Sequence, residues 1–373
     1  MQARDYFPLG LATGEAFCNR KAETELLVTN MQDGKHTLLM APRRYGKSSL
    51  CLHAIQISNL PYTEIDFYMA RNEKVIEKYI LNGIIDLIGR TLGSVDKLIN
   101  SIKRYVKRLK PKLEIGTHAI TLELSTDENT DPATNVTEGL LLLEQLLNEK
   151  QKCAILFLDE FQNVGLIAKG SGIEAAIRHV AQKTKYLAIV FSGSNRRLLQ
   201  TMFEDDTRPL YKLCWKIDLH RIAFEHYKKH FLKASKLAWA RDIEEDFIKE
   251  IAALTELHPY YFNKLADRLL TYQNIPNIID VKVEWEKVLE EEKSDAVKEI
   301  SNLSIGQKNV LLHIAKETHK TITGKHSTLA LQTSSSSIMA ALNALEEKDV
   351  IEKIDGHYNI INPVVKYYVL KNG

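Results

Sequence analysis

Residues 37–50 read Thr-Leu-Leu-Met-Ala-Pro-Arg-Arg-Tyr-Gly-Lys-Ser-Ser-Leu, and this stretch decides the fold. The apolar run 38–40 predicts a buried strand, and the apolar residues that recur from position 50 onward predict a helix. Between them, residues 41–48 match the pattern of a phosphate-binding loop whose first glycine is replaced by Ala41. We therefore predict a strand, a phosphate-binding loop and a helix, against the alternative of an ordinary strand–turn–helix.

The residue types of this loop suit a triphosphate. Gly46 lets the backbone approach phosphate oxygens, and the N–H groups that open the following helix present partial positive charge to them. Lys47 supplies a full charge to the β- and γ-phosphates, and Ser48 supplies a hydroxyl ligand for Mg²⁺. Because Pro42 disfavours the helical region for the residue before it, Ala41 is expected to be extended and to need no glycine.

Length and composition bound the class of protein. A chain of 373 residues suggests two or three domains, and 26% charged with 45% hydrophobic residues is typical of a soluble globular protein. A net charge of +2 restricts any nucleic-acid contact to a local surface. Four widely spaced cysteines favour a reducing compartment over a zinc or disulfide framework. With no signal peptide or membrane-length apolar run, we expect a cytoplasmic protein with no membrane contact.

A pair of carboxylates follows a second apolar strand. Residues 153–158 are continuously apolar and lead into Asp159 and Glu160. Because parallel strands bring their carboxyl ends to one edge of a sheet, Asp159 can approach a metal near Ser48. We expect Asp159 to hold Mg²⁺, directly or through water, and Glu160 to polarise water for attack on the γ-phosphate.

A third apolar strand, over residues 187–191, ends in Ser-Gly-Ser-Asn. A polar residue at this edge can sense the γ-phosphate or orient the attacking water. Ser194 and Asn195 are both eligible, and the sequence does not separate them.

Residues 97–136 are interpreted as an insertion in the core. Within it, residues 101–112 concentrate six basic side chains, and the four between 103 and 108 share one helical face. This segment is either a solvated amphipathic helix or a local surface for a polyanion such as DNA. A hairpin is predicted over 112–124, around Gly116-Thr117.

Beyond about residue 222 the pattern becomes helical. The acidic stretch 284–293 is interpreted as a domain boundary, and from residue 304 two helices followed by a hairpin at Asp355-Gly356 are typical of a winged helix. The second of these helices, over 335–345, carries no Lys or Arg. Protein contact is therefore favoured over DNA binding for this region.

These motifs together resemble the archaeal-type ATPase family, a branch of the AAA+/STAND P-loop ATPases related to origin-recognition ATPases. The matching segments span about residues 17–270 and are Phe-x-Asn-Arg-x-x-Glu at 17–23, Pro-Arg-Arg-Tyr-Gly-Lys-Ser-Ser-Leu at 42–50, Leu-Asp-Glu-Phe-Gln at 158–162, Ser-Gly-Ser at 192–194, Pro-Leu-Tyr at 209–211 and His-Pro-Tyr-Tyr at 258–261. The resemblance implies ATP and Mg²⁺ as ligands, a core sheet in which Asp159 is central, and a helical lid. The implied nucleotide-binding residues are Asn19, Arg20, Pro42, Arg43, Arg44, Tyr45, Gly46, Lys47, Ser48, Ser49 and Pro259.

Three positions depart from the family pattern. Ala41 replaces a glycine of the loop. Leu213 stands where such proteins often have an arginine that reaches a neighbouring subunit's nucleotide, and Arg208 is the nearby candidate to replace it. Leu257 stands where a glycine usually precedes His-Pro.

The sequence thus predicts an ATP-binding, slowly hydrolysing switch with an α/β P-loop NTPase core of parallel sheet and flanking helices (1–221), an all-α lid (222–295) and a winged-helix domain (296–373). A non-hydrolysing, nucleotide-gated DNA- or protein-binding adaptor is the alternative. A small-molecule kinase fits less well, because it needs no glutamate beside the metal aspartate. Besides ATP, we expect a protein partner or self-association through the lid or winged helix. DNA would bind through the tail or the basic segment 101–112.

Overall fold

The structure is a computed structural model that describes residues 2–92, 110–115, 120–125, 130–168, 172–316, 322 and 324–373. The chain divides into two compact units. The sheet unit comprises Arg20–Ala41 and Lys47–Leu219, and the helical unit comprises Met1–Asn19, Pro42–Gly46 and His220–Gly373. The three-domain division at residues 221 and 295 stays a prediction.

The sheet unit is built on a parallel five-stranded sheet of order β2-β5-β6-β1-β7. Its strands are β1 (Thr37–Met40), β2 (Tyr62–Asp66), β5 (Ala154–Asp159), β6 (Leu187–Gly193) and β7 (Trp215–Asp218). β1, β5 and β6 are buried almost throughout, as continuous apolar strands of parallel sheets usually are. The three apolar runs of the sequence are therefore confirmed as strands of one sheet.

The register of these strands aligns their carboxyl ends. Met40 pairs with Gly193, and Asp66 pairs with Asp159, the last residues of their strands. The segment that follows β1 and the acidic pair that follows β5 therefore both start at the same edge of the sheet.

Helices flank the strands along the chain of the sheet unit. They are α1 (Lys21–Gln32), α2 (Lys47–Ser58), α3 (Glu73–Leu92), α4 (Pro132–Lys150), α5 (Gln162–Ile167), α6 (Gly172–Ala181) and α7 (Arg196–Glu204). α4 begins where Asp131 accepts a hydrogen bond from the Thr134 backbone N–H and Pro132 occupies the first turn. It therefore starts inside the region 97–136.

The predicted hairpin is confirmed as the antiparallel pair β3 (Lys110–Ile115) and β4 (Ile120–Ser125). Residues 110–112 lie in β3, so the prediction of a helix over 101–112 is wrong at its C-terminal end. Pro111 explains the difference, because proline is excluded from a helix interior and tolerated on an edge strand. Residues 101–109 lie outside the described residues.

The helical unit joins the two ends of the chain. Residues Ala3–Tyr6 and Gly14–Ala16 form 3-10 turns, and α8 (Phe224–Trp239), α9 (Glu245–Thr255), α10 (Pro259–Leu269) and α11 (Ile278–Ser301) follow the sheet. The His230 ring donates from Nε2 to the Tyr6 carbonyl at 2.8 Å, and Arg4 makes two hydrogen bonds of 2.7 and 2.8 Å to Asp267. The N-terminal segment is thus packed on α8 and α10.

The acidic stretch 284–293 lies inside α11, which runs unbroken through it. Lys264 donates to Glu292 at 2.6 Å, and Arg268 donates to Glu284 at 2.7 Å. The acidic residues of this stretch therefore compensate basic residues of α10, and the helix continues through them.

The last elements are α12 (Ile305–Lys316), α13 (Lys325–Ala330), α14 (Ser335–Glu347), β8 (Ile351–Ile354), β9 (His357–Ile360) and α15 (Pro363–Asn372). β8 and β9 pair antiparallel around Asp355 and Gly356, whose φ values of 50° and 83° are both left-handed. A two-residue turn with two positive φ angles suits Asp-Gly, so the predicted hairpin is confirmed.

The four cysteines are free. Among the described residues, no helix has both the length and the hydropathy to cross a membrane.

Gly34 provides a test of the sheet unit. Its φ is +66°, and a Cβ there would overlap the Lys185 carbonyl oxygen. We expect Gly34→Ala to lower the free energy of unfolding by about 2 kcal/mol, because a left-handed alanine is strained even without the overlap. Urea denaturation followed by circular dichroism measures the change.

The matched control is Gly89→Ala in α3, where a Cβ would meet nothing within 4 Å. This variant should gain about 0.5–1 kcal/mol, because alanine loses less conformational freedom in a helix. Equal denaturation midpoints for the two variants would contradict the placement of Gly34.

Candidate functional site

The phosphate-binding pattern occupies the connection between β1 and α2. Gly46 has a φ of +87°, and a Cβ built on it would meet no atom within 4 Å. The position therefore requires glycine for its backbone angle, and it leaves open space beside the backbone. Ala41 has a negative φ and is buried, so the alanine is accommodated without left-handed strain.

Lys47 and Ser49 lie in the first turn of α2, and both are buried. The ammonium group of Lys47 donates to the Ala41 carbonyl at 3.0 Å, which folds the lysine side chain back over the end of β1. Pro42 is buried as well, whereas Arg43, Arg44 and Gly46 are exposed.

Ser48 meets the acidic strand end that the sequence places 111 residues away. Its hydroxyl donates to Oδ2 of Asp159 at 3.2 Å. Asp159 also accepts at Oδ1 from the Glu160 backbone N–H at 2.9 Å, which orients its carboxylate. The structure thus brings together the two residues predicted to bind a metal.

The two side chains fit Mg²⁺. Both offer oxygen ligands, and in octahedral coordination with bonds of 2.0–2.1 Å two neighbouring ligand oxygens stand about 2.9 Å apart. The 3.2 Å between Ser48 Oγ and Asp159 Oδ2 is close to that separation. A single ion could therefore take both oxygens with small side-chain adjustments.

Acidic residues of β2 add to the negative charge at this edge. Burial raises the pKa of Glu64, and the charges of Asp159 and Asp66 raise it further. Burial also raises the pKa of Asp66, as do the charges of Asp159 and Glu160. A bound cation would relieve this mutual repulsion.

Glu160 is held by two side chains. Its Oε2 accepts from Ser194 Oγ at 2.9 Å and from Gln162 Nε2, and Gln162 Nε2 also donates to Ser194 Oγ at 3.5 Å. The φ of Glu160 is +49°, so its backbone is in the strained left-handed region. These contacts fix the direction of a carboxylate that follows directly on Asp159.

The structure gives Ser194 and Asn195 different roles. Ser194 Oγ contacts Glu160, whereas Asn195 Oδ1 accepts from the Leu198 backbone N–H at 3.0 Å and caps α7. The Gln162 amide oxygen also lies close to Gly193, where a Cβ would overlap it. Gln162 ends the motif at residues 158–162, and nothing in that pattern predicts its contact with position 193.

Asn19 and Arg20, predicted from the resemblance, are consecutive left-handed residues, with φ values of 60° and 65°. Arg20 is buried at the start of α1 and pairs with Glu23 at 3.3 Å. The Asn-Arg-x-x-Glu motif therefore fixes the turn that leads into α1.

Within the helical unit, Arg44 faces a carboxylate of α11. Arg44 has a φ of +64°, stacks on the ring of Tyr260 at 4.2 Å and pairs with Glu292 at 3.2 Å. Burial and Asp349 raise the pKa of Glu299 to about 7, against the opposing charge of Arg43.

Tyr45 is buried in the same unit. Its hydroxyl donates to Glu352 Oε1 at 3.3 Å and accepts from Arg221 Nε at 3.3 Å, and its ring meets the His258 ring edge-on at 4.9 Å. Burial, with the charges of Arg221 and Arg44, lowers the pKa of His258 to about 3, so this imidazole is neutral. Its neighbour Pro259 is buried in the first turn of α10.

Arg221 is a site residue that sequence reasoning missed. Its guanidinium donates to the Glu256 carbonyl at 2.6 Å and to the Ile360 and Ile361 carbonyls at 2.9 and 3.1 Å. Arg221 belongs to no sequence motif, so only the fold shows that it joins α9, β9 and Tyr45.

The departure from the family pattern at Leu257 strains the backbone, because its φ of +58° lies in the region that favours glycine.

Arg208, the candidate to replace an arginine at position 213, is engaged inside the sheet unit. It donates to Glu174 at 2.6 Å, and Glu174 is completely buried. The Arg178 side chain meanwhile holds the carbonyls of Pro209 and Tyr211. The segment around Arg208 is therefore fixed on α6.

The sheet order, the connection between β1 and α2 and the acidic end of β5 match the fold of a P-loop NTPase core, as the sequence predicts. No protein-family model matches the sequence, and no curated protein matches it significantly.

Solved structures share the fold over the whole chain. The Walker-type ATPase PABY2304 of Pyrococcus abyssi superposes with a TM-score of 0.69 at 20% identity, covering 98% of this chain and 99% of that one. The Orc2 protein of Aeropyrum pernix, in ADPNP–ADP complexes, gives 0.56 at 12% identity, with 100% and 97% covered. Its ADP form gives 0.52 at 11% identity, with 100% and 98% covered. At these identities the likeness is one of fold, and it agrees with the resemblance to archaeal-type ATPases.

The Glu174–Arg208 pair gives a pH-dependent prediction. Burial raises the pKa of Glu174, and Arg208 opposes that rise. Arg208→Ala should cost about 3 kcal/mol of unfolding free energy at pH 7.5, because it leaves a buried carboxylate unpaired. Since protonation of Glu174 in the folded chain removes that charge, the loss should shrink as the pH falls to 5. Urea denaturation at both pH values measures it.

The control is the double variant Arg208→Ala/Glu174→Gln, which removes both charges. It should recover most of the lost stability at pH 7.5 and show little pH dependence. If Arg208→Ala lost the same unfolding free energy at pH 7.5 and at pH 5, the result would argue against a buried ion pair.

Proposed function

We propose that the protein is an ATP-binding, slowly hydrolysing switch of the AAA+/STAND kind that uses Mg²⁺. The hydrogen bond between Ser48 Oγ and Asp159 Oδ2 carries this proposal, because it joins the helix after the phosphate-binding loop to the acidic end of β5. Among proteins of the same fold, one is described as a Walker-type ATPase and another as an ADPNP–ADP complex, which supports an adenine nucleotide as ligand.

The loop would bind the phosphates. The backbone beside Gly46 is open, and the N-terminus of α2 offers N–H groups and partial positive charge. Lys47 would exchange its bond to the Ala41 carbonyl for the β- and γ-phosphates. Ser48 and Asp159 would hold Mg²⁺, which when bound neutralises charge that develops on the phosphate oxygens.

Glu160 would activate the attacking water. Its carboxylate is anchored at Oε2 by Ser194 and Gln162, which leaves Oε1 for a water proton. Ser194 would thereby position Glu160, while Asn195 is occupied as a helix cap.

ATP would set the angle between the core and a helical lid at 222–295, and hydrolysis would release it and move a winged-helix domain at 296–373. Asn19, Arg20, Arg43, Arg44, Tyr45, Ser49 and Pro259 would complete the nucleotide site. The free cysteines suit a reducing compartment, so we place the protein in the cytoplasm.

The second candidate is a non-hydrolysing, nucleotide-gated adaptor for a protein or DNA. The engagement of Arg208 with Glu174 favours it, because that arginine is not directed to a neighbouring subunit. A protein partner or self-association would use the lid or the winged helix. DNA would use the tail or the basic segment 101–112, and salt-dependent binding of labelled duplex to the whole protein would reveal it.

Lys47→Ala should weaken ATP binding by more than about tenfold, because it removes a charged hydrogen-bond donor from the phosphates. Titration with a fluorescent ATP analogue in the presence of Mg²⁺ measures the affinity. Lys152→Ala, at an exposed position before β5, serves as the control and should bind as the wild type does. An unchanged affinity in Lys47→Ala would refute the loop assignment.

Glu160→Gln should keep ATP affinity and lose turnover by about a hundredfold or more, because an amide cannot accept the water proton. Phosphate release is the measurement, with no acceptor substrate added. Glu286→Gln, an exposed glutamate of α11, should hydrolyse ATP at the wild-type rate.

Three outcomes separate the candidates. If the wild type releases phosphate and Glu160→Gln binds ATP without releasing it, the switch ATPase is supported. Nucleotide binding without phosphate release in the wild type favours the adaptor. Formation of ADP and a phosphorylated acceptor, with no free phosphate released, would favour a kinase.

A further inference from the structure

Two consecutive residues of the phosphate-binding loop have their side chains engaged within the helical unit. Arg44 stacks on Tyr260 and pairs with Glu292. Tyr45 makes the most buried of these contacts, since only 1% of its surface is exposed. Gly46 and Lys47 follow it directly in the chain.

The Tyr45 hydroxyl sits between an arginine and a carboxylate. It accepts from Arg221 Nε at 3.3 Å and donates to Glu352 Oε1 at 3.3 Å, and Arg221 and Glu352 are themselves 3.7 Å apart. Because burial raises the pKa of Tyr45, the phenol keeps its proton and can donate. The hydroxyl thus completes a chain from guanidinium through phenol to carboxylate.

The two hydrogen-bond partners of Tyr45, Arg221 and Glu352, connect it to the β8–β9 hairpin. Glu352 belongs to β8 and is 3% exposed, so its carboxylate depends on nearby donors. Arg221 Nη2 donates to the carbonyls of Ile360 and Ile361, at the end of β9. If Tyr45 were displaced, the buried side chains of Arg221 and Glu352 would be less well matched by hydrogen-bond partners. This cost opposes movement of the loop or of the hairpin alone.

We propose that Tyr45, Arg221 and Glu352 form a latch through which the β8–β9 hairpin positions the phosphate-binding loop. Tyr45 is then a positioning residue for the bound nucleotide. The latch holds a loop whose backbone is left-handed at both Arg44 and Gly46, which is the kind of pre-organisation that favours binding. This inference rests on the proposed function and names the element that regulates the same site.

The coupling between the hairpin and the bound nucleotide must act in both directions. If the hairpin positions the loop for nucleotide, then nucleotide must stabilise the hairpin by the same factor. Loss of the latch should therefore weaken nucleotide binding and also remove the effect of nucleotide on the hairpin.

The test uses the whole protein, Mg-ATP and the variant Tyr45→Phe, which keeps the ring and removes the bridging hydroxyl. Mg-ATP should slow hydrogen exchange over 351–360 in the wild type, and Tyr45→Phe should lose this protection and bind Mg-ATP about fivefold or more weakly. Tyr358→Phe, on β9 of the same hairpin, is the matched control and should behave as the wild type. Glu352→Gln, which removes the charge but keeps an acceptor, should give an intermediate effect.

Wild-type affinity together with wild-type hairpin protection in Tyr45→Phe would overturn the latch while leaving the proposed function intact. If the wild type does not bind Mg-ATP, the proposed function fails and nucleotide-free exchange decides on the latch. Faster exchange over 351–360 in Tyr45→Phe than in Tyr358→Phe then supports it, and equal exchange overturns it.

Discussion

The contact between Ser48 and Asp159 depends on the parallel arrangement of β1, β6 and β5. Only when these strands run in the same direction do the residue that follows the loop and the last residue of β5 reach the same edge of the sheet. The carboxylate of Glu160 and the hydroxyl of Ser194 follow from the same constraint, because each comes directly after a strand of this sheet. The chemistry that we propose therefore depends on the parallel direction of these strands as well as on the individual side chains.

Two of the strained backbone positions lie at the candidate site. Arg44 and Glu160 are non-glycine residues with left-handed φ, a conformation that costs about 1–2 kcal/mol at each position. Their side chains have the partners that compensate the cost. Arg44 lies between Tyr260 and Glu292, and Glu160 is held by Ser194 and Gln162. At these two positions, side-chain contacts hold the strained backbone.

The sequence was informative where a local pattern exists. The strands 38–40, 153–158 and 187–191 and the Asp355-Gly356 hairpin were predicted, because burial on both faces and turn geometry leave a signature within a few residues. The prediction of a helix over the basic segment 101–112 failed at Pro111, because one proline overrides the charge pattern. The acidic stretch 284–293 was interpreted as a domain boundary from its composition, and in the structure its carboxylates pair with α10.

Contacts between distant charged residues had no such signature. Arg221 meets Tyr45 across 176 residues and Ile360 across 139, and nothing near it in the sequence indicates either partner. Ser194 and Asn195 were equivalent in the sequence, because the choice between them depends on which one the turn after β6 directs toward Glu160. Long-range polar contacts therefore required the structure.

The most direct test of a shared metal site is a double-mutant cycle on Ser48→Ala and Asp159→Asn, with ATP affinity measured with and without Mg²⁺. If both oxygens bind one ion, Mg²⁺ should strengthen ATP binding in the wild type. Each single variant should lose that gain, and the double variant should lose no more than either one. A gain from Mg²⁺ that survives in either variant, or losses that add in the double variant, would contradict a single magnesium–nucleotide site at this edge of the sheet.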